Sequence, residues 1–197
     1  MGYRVGKGAL SDLRRQQILD ATSACVCAAG FHSASMAEIA KASGLSVGQI
    51  YRHFENKNAI IAAVVDQNLA RLRDTFAQRR EQTDSLTEAL TTLLSEVLER
   101  SFNRDHTALA LEMLAESARN PNIAAILQAS DAQERRSSDA VLQLARKPHW
   151  SQEEFEARVE VLRIFFDGLL IRGLLDPNVN RAALIGVLAP AIRALMT

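Results

Sequence analysis

The chain reads as an all-α protein of about nine helices, and three observations predict this. Only 4 Pro and 9 Gly interrupt its 197 residues, while strong helix formers such as Ala, Leu, Glu, Arg and Gln abound. Apolar residues recur at three- and four-residue spacing through most of the chain, the period of a helix face. Helix-start signals of the Ser-x-x-Glu/Gln kind head several of these segments, at Ser46 to Gln49, Ser85 to Glu88 and Ser151 to Glu154. A hydrophobic content of 48% supplies a substantial core at this length.

The elements follow in order. A first helix is expected over about 11–29: Leu13, Ile18, Ala21, Cys25 and Val26 keep helical spacing and Gly30 stops it. The turn FHSAS leads to a short second helix, MAEIAKAS, closed by Gly44. A third begins at Ser46, whose hydroxyl caps the amide of Gln49 while Gln49 reaches back. Asn56 caps a long fourth helix carrying Ile60, Ile61, Val64, Val65, Leu69, Leu72 and Phe76. Ser85 opens a fifth with Leu90, Leu93, Leu94, Val97, Leu98 and Phe102, and Asp105 opens a sixth that ends at Arg119 and Asn120. Pro121 suits the first turn of a seventh helix, which runs to about Arg146 before the break Lys147-Pro148-His149-Trp150. Ser151 caps an eighth helix that ends near Leu175, at Asp176-Pro177-Asn178. The ninth runs from about Asn180 to Met196 and contains Pro190, where a kink is expected.

No apolar run reaches the roughly 18 residues that span a membrane, and the opening MGYRVGKGALSD has no apolar export segment. The two Cys, at 25 and 27, are too few for a disulfide scaffold or a metal site. The expectation is a reduced, cytoplasmic protein with no membrane partner, metal or cofactor. Charge is uneven beneath a net balance of zero. Residues 1–57 carry seven Lys/Arg against four Asp/Glu, and the remainder carries sixteen against nineteen. A basic head on a mildly acidic body suits a small nucleic-acid-binding module joined to a larger domain that does not bind it.

That head has the parts of a helix-turn-helix unit. Ala40 is small where two short helices cross, Gly44 permits the turn's positive φ, and Ile39, Leu45 and Ile50 form the seam that sets their angle. The second of the two then presents its N-terminal part outward, where it can enter a major groove.

The run ILDAT, then AAGFHSASMAEIAKASGLSVGQIYRHFENKNAII, resembles the DNA-binding domain of the TetR (tetracycline-repressor-like) family of bacterial regulators. The likeness covers about residues 10–65 and is most specific in GLSVGQIYRHFENK. Val26 departs from it where the family usually has Phe, and Ala34 where Thr is common. The resemblance implies that Val47, Gly48, Gln49, Tyr51 and His53 lie on or near the groove-facing side, with Lys57 in the place of a phosphate-contacting lysine. On that footing Tyr51 touches a phosphate or a thymine methyl, His53 the backbone, and Val47 a thymine methyl. Gly48 lets the helix approach the bases. Gln49 either pairs bidentately with adenine or only caps its own helix. Ser35 and Ala37 offer a hydroxyl and an amide to phosphate, Ser46 starts the reading helix, and Arg52 faces either solvent or DNA. Arg14 and Arg15, with Arg4 and Lys7, add charge without sequence preference.

With no internal repeat, low-complexity tract or long linker, the domain boundary is expected at the start of the fourth helix, giving a helix-turn-helix DNA-binding domain, residues 1–57, and, as the likeness implies, a helical ligand-binding and dimerisation domain, residues 58–197. The eighth segment, VLRIFFDGLLIRGLL, is apolar nearly all round, and Leu184, Val187, Leu188, Ala191 and Leu195 stripe the ninth. A homodimer through these last two helices is expected, placing two heads on a palindromic double-stranded DNA operator; the plainer reading makes both stripes core. The middle helices are expected to hold a small-molecule effector of unidentified chemistry. Residues 109–121, LALEMLAESARNP, resemble the sixth helix of the choline-responsive BetI-like subgroup. Phe102, Met113, Trp150 and Phe166 are candidate apolar ligand contacts, with His106 and Glu116 as polar anchors beside Glu112 and Arg119. Arg163 and Asp167, four apart, read as an intrahelical ion pair.

No nucleophile elbow, phosphate loop or metal-spaced cluster points to an enzyme, and no catalytic residue is named. The function expected is a ligand-responsive transcriptional regulator, a repressor released by its effector. The alternative is a ligand-independent helical protein that binds DNA or a partner.

Overall fold

The computed structural model describes residues 7–81, 86–143 and 146–197. Arg4 and Ser85 lie outside these, as do the side chains of Lys7, Leu69, Leu72 and Phe76. Among the described residues the chain forms nine helices and no strand: α1 (Lys7–Ser33), α2 (Met36–Ser43), α3 (Val47–Tyr51), α4 (Lys57–Glu81), α5 (Leu86–Ser101), α6 (Arg104–Ser117), α7 (Pro121–Leu142), α8 (Gln152–Leu175) and α9 (Arg181–Met196). They make two compact units, one of residues up to Asn68 with Leu109–Ser130, the other of Leu69–Ala108 with Asp131–Thr197. These are units of packing.

In the first unit α1, α2 and α3 close over a core of Ile18, Val26, Phe31, Ile39, Ile50, Phe54, Ile60 and Ile61, joined by Met113 and Ile123. Each such side chain contributes roughly 1.5–3 kcal/mol by leaving water. α1 is helical up to Gly30, whose φ of 80° and ψ of 167° break it before a last turn to Ser33. Gly44, at φ 65°, closes α2 and returns its amide to Ala40 and Lys41, the left-handed cap that favours glycine. Ser35 Oγ accepts from the Glu38 amide, and Ser46 Oγ from the Gln49 amide, while the Gln49 side chain accepts from the Ser46 amide. Asn56 caps α4 through the Ala59 amide. The two departures from the family pattern are both buried, Val26 and Ala34 at 1% exposure each. At position 34 the side chain therefore faces the core.

The second unit packs α5, α8 and α9 around Leu90, Leu94, Leu98, Trp150, Phe155, Val159, Leu162, Leu169, Ile192 and Met196. Ser151 caps α8 and Asn180 caps α9. α8 buries Phe155, Val159, Leu162, Leu169 and Gly173, while Val161, Ile164, Ile171 and Leu175 stay exposed. With half-buried Gly168 these positions repeat at alternating three- and four-residue steps, the spacing of a helix seam that can pack on another helix.

Several local expectations are corrected. Leu13 is exposed, so the buried face of α1 starts at Ile18. α6 is capped by Asn103, whose Oδ1 accepts from the His106 amide, and Asp105 lies within its first turn. α7 stops at Leu142, and Arg146 instead staples the break, donating to the Trp150 carbonyl and to Gln152 Oε1 at 2.9 and 2.7 Å. Arg163 pairs with Asp139 of α7 at 2.7 Å and not with Asp167, because a charge across the helix pair lies closer than the one along its own helix. Leu184, Leu188 and Leu195 pack on their own core. Of the expected α9 stripe Val187 stands clear at 71% exposure, next to exposed Ala183, Gly186, Pro190 and Ala194.

Candidate nucleic-acid interface

α3 is a single short turn of helix, and two caps and two buried residues decide which way it faces. Ile50 is fully buried and Phe54 nearly so, fixing one side on α1, α2 and α4. The opposite side carries exposed Val47, Gly48, Gln49, Tyr51 and Arg52, with His53 half-buried. Tyr51 is 53% exposed, more than a core aromatic allows. Gly48 has nothing within 4 Å of where a Cβ would stand. Ser35, Ala37 and Ser46 are exposed at the starts of α2 and α3. Each serine hydroxyl accepts one amide hydrogen bond and keeps its own proton for a further acceptor.

The basic residues fall into two kinds. Arg14 and Arg15 are exposed on α1; Arg14 donates to Gln17 at 2.8 Å, and the Arg15 guanidinium lies 4.3 Å over the Phe54 ring, held next to α3. Lys57 is tied inward. Its Nζ donates to the Phe31 carbonyl at 2.7 Å and sits 3.9 Å from the Phe31 ring centroid. Burial pulls this ammonium below the usual lysine range, with the Glu116 charge pushing the other way. Gln49 Oε1 already accepts from the Ser46 amide at 2.8 Å, so bidentate pairing with adenine requires that oxygen to accept twice or to leave its cap.

The Phe31 segment has a second set of holders on α6. Glu112 Oε1 accepts from the Phe31 amide at 2.8 Å. Glu116 is completely buried, yet its cover is one layer deep, because His32 and Arg119 above it are 72% and 56% exposed. Asn120 donates to Oε1 at 2.8 Å, while Oε2 meets His32 Nε2 at 3.3 Å and Arg119 at 3.0 Å. The latter are charge-pair contacts rather than aligned hydrogen bonds. The Asn120 hydrogen bond, then the charges of His32 and Arg119, hold the Glu116 carboxyl below its ordinary 4.5 against the opposing effect of burial. A carboxyl that gives up its proton more readily in the folded state adds stability above its unfolded value, and loses it as pH falls through the folded one. The stability advantage of the wild type over Glu116→Gln is therefore expected to shrink as pH falls below the carboxyl's ordinary 4.5, read as urea midpoints. An advantage independent of pH would show that the charge is not what these neighbours hold.

The six candidate ligand contacts fall in both packing units. Met113 and Glu116 belong to the first unit, Met113 as core. Phe102, His106, Trp150 and Phe166 belong to the second. There Trp150 is core, Phe102 and Phe166 pack against that core, and His106 is half-buried. A half-open cleft of about 510 Å³ between α7 and α8 is lined by Arg135, Asp139, Gln143, Gln152, Phe155, Glu160 and Arg163 among others, and by none of the six. Its cations are already matched within the chain, Arg135 by Asp131 and Glu160, and Arg163 by Asp139. Among the described residues no helix is long and apolar enough to cross a membrane.

Comparison with known proteins identifies the lineage. Residues 18–64 match the model of bacterial regulatory proteins of the tetR family, and residues 86–197 match the C-terminal region of BetI-type transcriptional repressors. The chain belongs to the TetR family of transcriptional regulators. The HTH-type transcriptional regulator UidR of Escherichia coli K12 is 35% identical over 117 residues, 58% of this chain and 57% of that protein; the match thus spans little more than half of this relative's length. Salmonella enterica GusR has a TM-score of 0.74 at 26% identity, covering 95% of this chain and 97% of that one. The fatty acid degradation regulator FadR of Bacillus halodurans shares the fold, with a TM-score of 0.73 at 19% identity over 98% of this chain and 96% of that one. TetR-family regulators are a DNA-binding lineage and in general not enzymes.

The part of this TetR-family head that sequence reasoning did not assemble is the grip on Phe31. Glu112 and Glu116 read in the sequence only as polar ligand anchors, and no local pattern links Glu112 to a residue 81 positions away.

Proposed function

We propose that the protein is a ligand-responsive repressor that binds a palindromic double-stranded DNA operator as a homodimer and is released by a small-molecule effector. The observation that carries this reading is the split of α3, with Ile50 buried beneath it and Val47, Gly48, Gln49, Tyr51 and Arg52 outward. DNA contact is assigned to residues 1–57. Val47 and Gln49 meet base edges, and Gly48 admits the helix to the groove floor. Tyr51, His53 and Arg52 touch the backbone, as do Ser35, Ala37 and Ser46 at the helix starts. Arg14 and Arg15 add salt-dependent attraction. In the family Lys57 takes a phosphate, and here its ammonium has donors left after the one given to Phe31.

Residues 58–197 are assigned the effector and dimer functions. α8 and α9 leave apolar side chains exposed, among them Ile164 at 58% and Val187 at 71%, and contiguous exposed apolar surface marks an interaction site. Paired about a two-fold axis they bury each other. The effector is assigned to residues of the second unit such as Phe102, His106, Trp150 and Phe166, and the BetI-type match favours repression.

Selection of binding sites from random duplex DNA tests the reading. The expected result is a palindromic consensus whose half-sites lie about one helical turn apart, ~34–36 Å. No enrichment would sink it, and an unrepeated site of weak preference would favour the ligand-independent alternative.

A further inference from the structure

The last turn of α1 is held from two sides at one residue, Phe31. Gly30 breaks α1, which leaves the Phe31 amide to Glu112 Oε1 of α6, at 2.8 Å. The carbonyl of the same residue takes Lys57 Nζ at 2.7 Å, and Lys57 is the first residue of α4, soon after Tyr51 ends α3. The Phe31 ring between them is 3% exposed. A side chain at position 30 would bring its Cβ to 3.1 Å from Glu112 Oε1, in a backbone conformation of φ 80°. One turn along α6, Glu116 meets His32. Two carboxylates of α6 thus grip residues 31 and 32, and the far side of that grip leads straight to the helix-turn-helix.

We propose that Glu112 is a positioning residue for α3: the path Glu112, Phe31, Lys57 passes the position of α6 to the reading head and so regulates its hold on DNA. This rests on the proposed DNA-binding role and deepens it. A hydrogen bond of this length is lost by a displacement of under about 1 Å, so a small shift of α6 is enough to open the path. With the Phe31 amide unpaired, the backbone at residue 31 is held only by its buried ring, the Lys57 anchor shifts with it, and α3 takes orientations that fit phosphates but not base edges. Loss of the grip is thus expected to weaken sequence-specific binding while leaving non-specific binding alone.

The test uses the full chain and two duplexes of equal length, the selected consensus and a scrambled version, titrated between about 50 and 200 mM salt. Glu112→Leu, which removes the acceptor, is expected to bind the consensus about tenfold more weakly. Its affinity for the scrambled duplex and its salt slope are expected to stay as in the wild type, since no phosphate contact is removed. Glu112→Gln keeps an acceptor oxygen and is expected to stay within about twofold of the wild type. The proposal is overturned if the Leu variant binds the consensus normally, if it loses both duplexes equally, or if Gln is as weak as Leu. Should the wild type select no consensus, the functional reading fails first. Amide exchange in the free protein then decides the latch: Glu112→Leu is expected to speed exchange at Phe31 and residues 47–51 alone, and unchanged exchange there overturns it.

Discussion

Gly173→Ala is expected to destabilise the protein by about 3 kcal/mol or more, lowering its melting temperature by roughly 6–12 °C for a chain of this size. A Cβ at this position would stand 1.8 Å from the carbonyl oxygen of Ser101 and 2.6 Å from its carbon. Both obstacles are backbone, so no side-chain rotation relieves the overlap. α8 approaches the C-terminal end of α5 here, where Ser101 also accepts from the Thr107 hydroxyl at 2.8 Å. Separating the two helices would loosen the packing of the core around Leu98 and Leu169. Thermal unfolding followed by circular dichroism reads the effect. A variant as stable as the wild type would mean that α5 and α8 do not come this close.

Gly48→Leu is expected to do the reverse, leaving the fold intact and removing sequence-specific DNA binding. The position is exposed and a Cβ there meets nothing within 4 Å, so the free protein has room for the new side chain. Leucine is also the better helix former, and stability is expected to hold or rise by a few tenths of a kcal/mol. If α3 lies in the major groove with Gly48 against the bases, the added carbons occupy space that the groove floor needs. Affinity for the selected consensus is then expected to fall about thirtyfold or more, ~2 kcal/mol, with affinity for a scrambled duplex retained. Normal consensus binding by this variant would place the base-reading surface elsewhere.

The two glycines look alike in the sequence, as isolated glycines within helical patterns, and their surroundings separate them. The same holds for the two candidate glutamates. In the sequence Glu112 and Glu116 stand four apart on one helix face, yet Glu112 holds a main-chain amide while Glu116 is buried beneath His32 and Arg119. Most of the reading head was legible: Gly44, Ser46, Gln49 and Asn56 perform the caps that their spacing announces. Lys57 was legible as a cation at the start of α4, but its tie to Phe31 was not. The α9 stripe was left open between core and partner, because five residues in helical register fit a buried core as well as an exposed seam. Only the placement of α5 and α8 shows that Leu184, Leu188 and Leu195 turn inward and Val187 outward.

The sequence by itself determined the helical class, the nine segments and the helix-turn-helix with its outward and inward faces. Those signals are local: a cap, a stop and a helical stripe act over three or four residues, where chain connectivity already brings the groups together. The tertiary structure decided which glycine is crowded, which stripe stays open, and that Phe31 is held by Lys57 and Glu112, 26 and 81 positions away. Such contacts depend on where whole helices come to rest, and that is settled by packing the cores rather than by the spacing of any few residues.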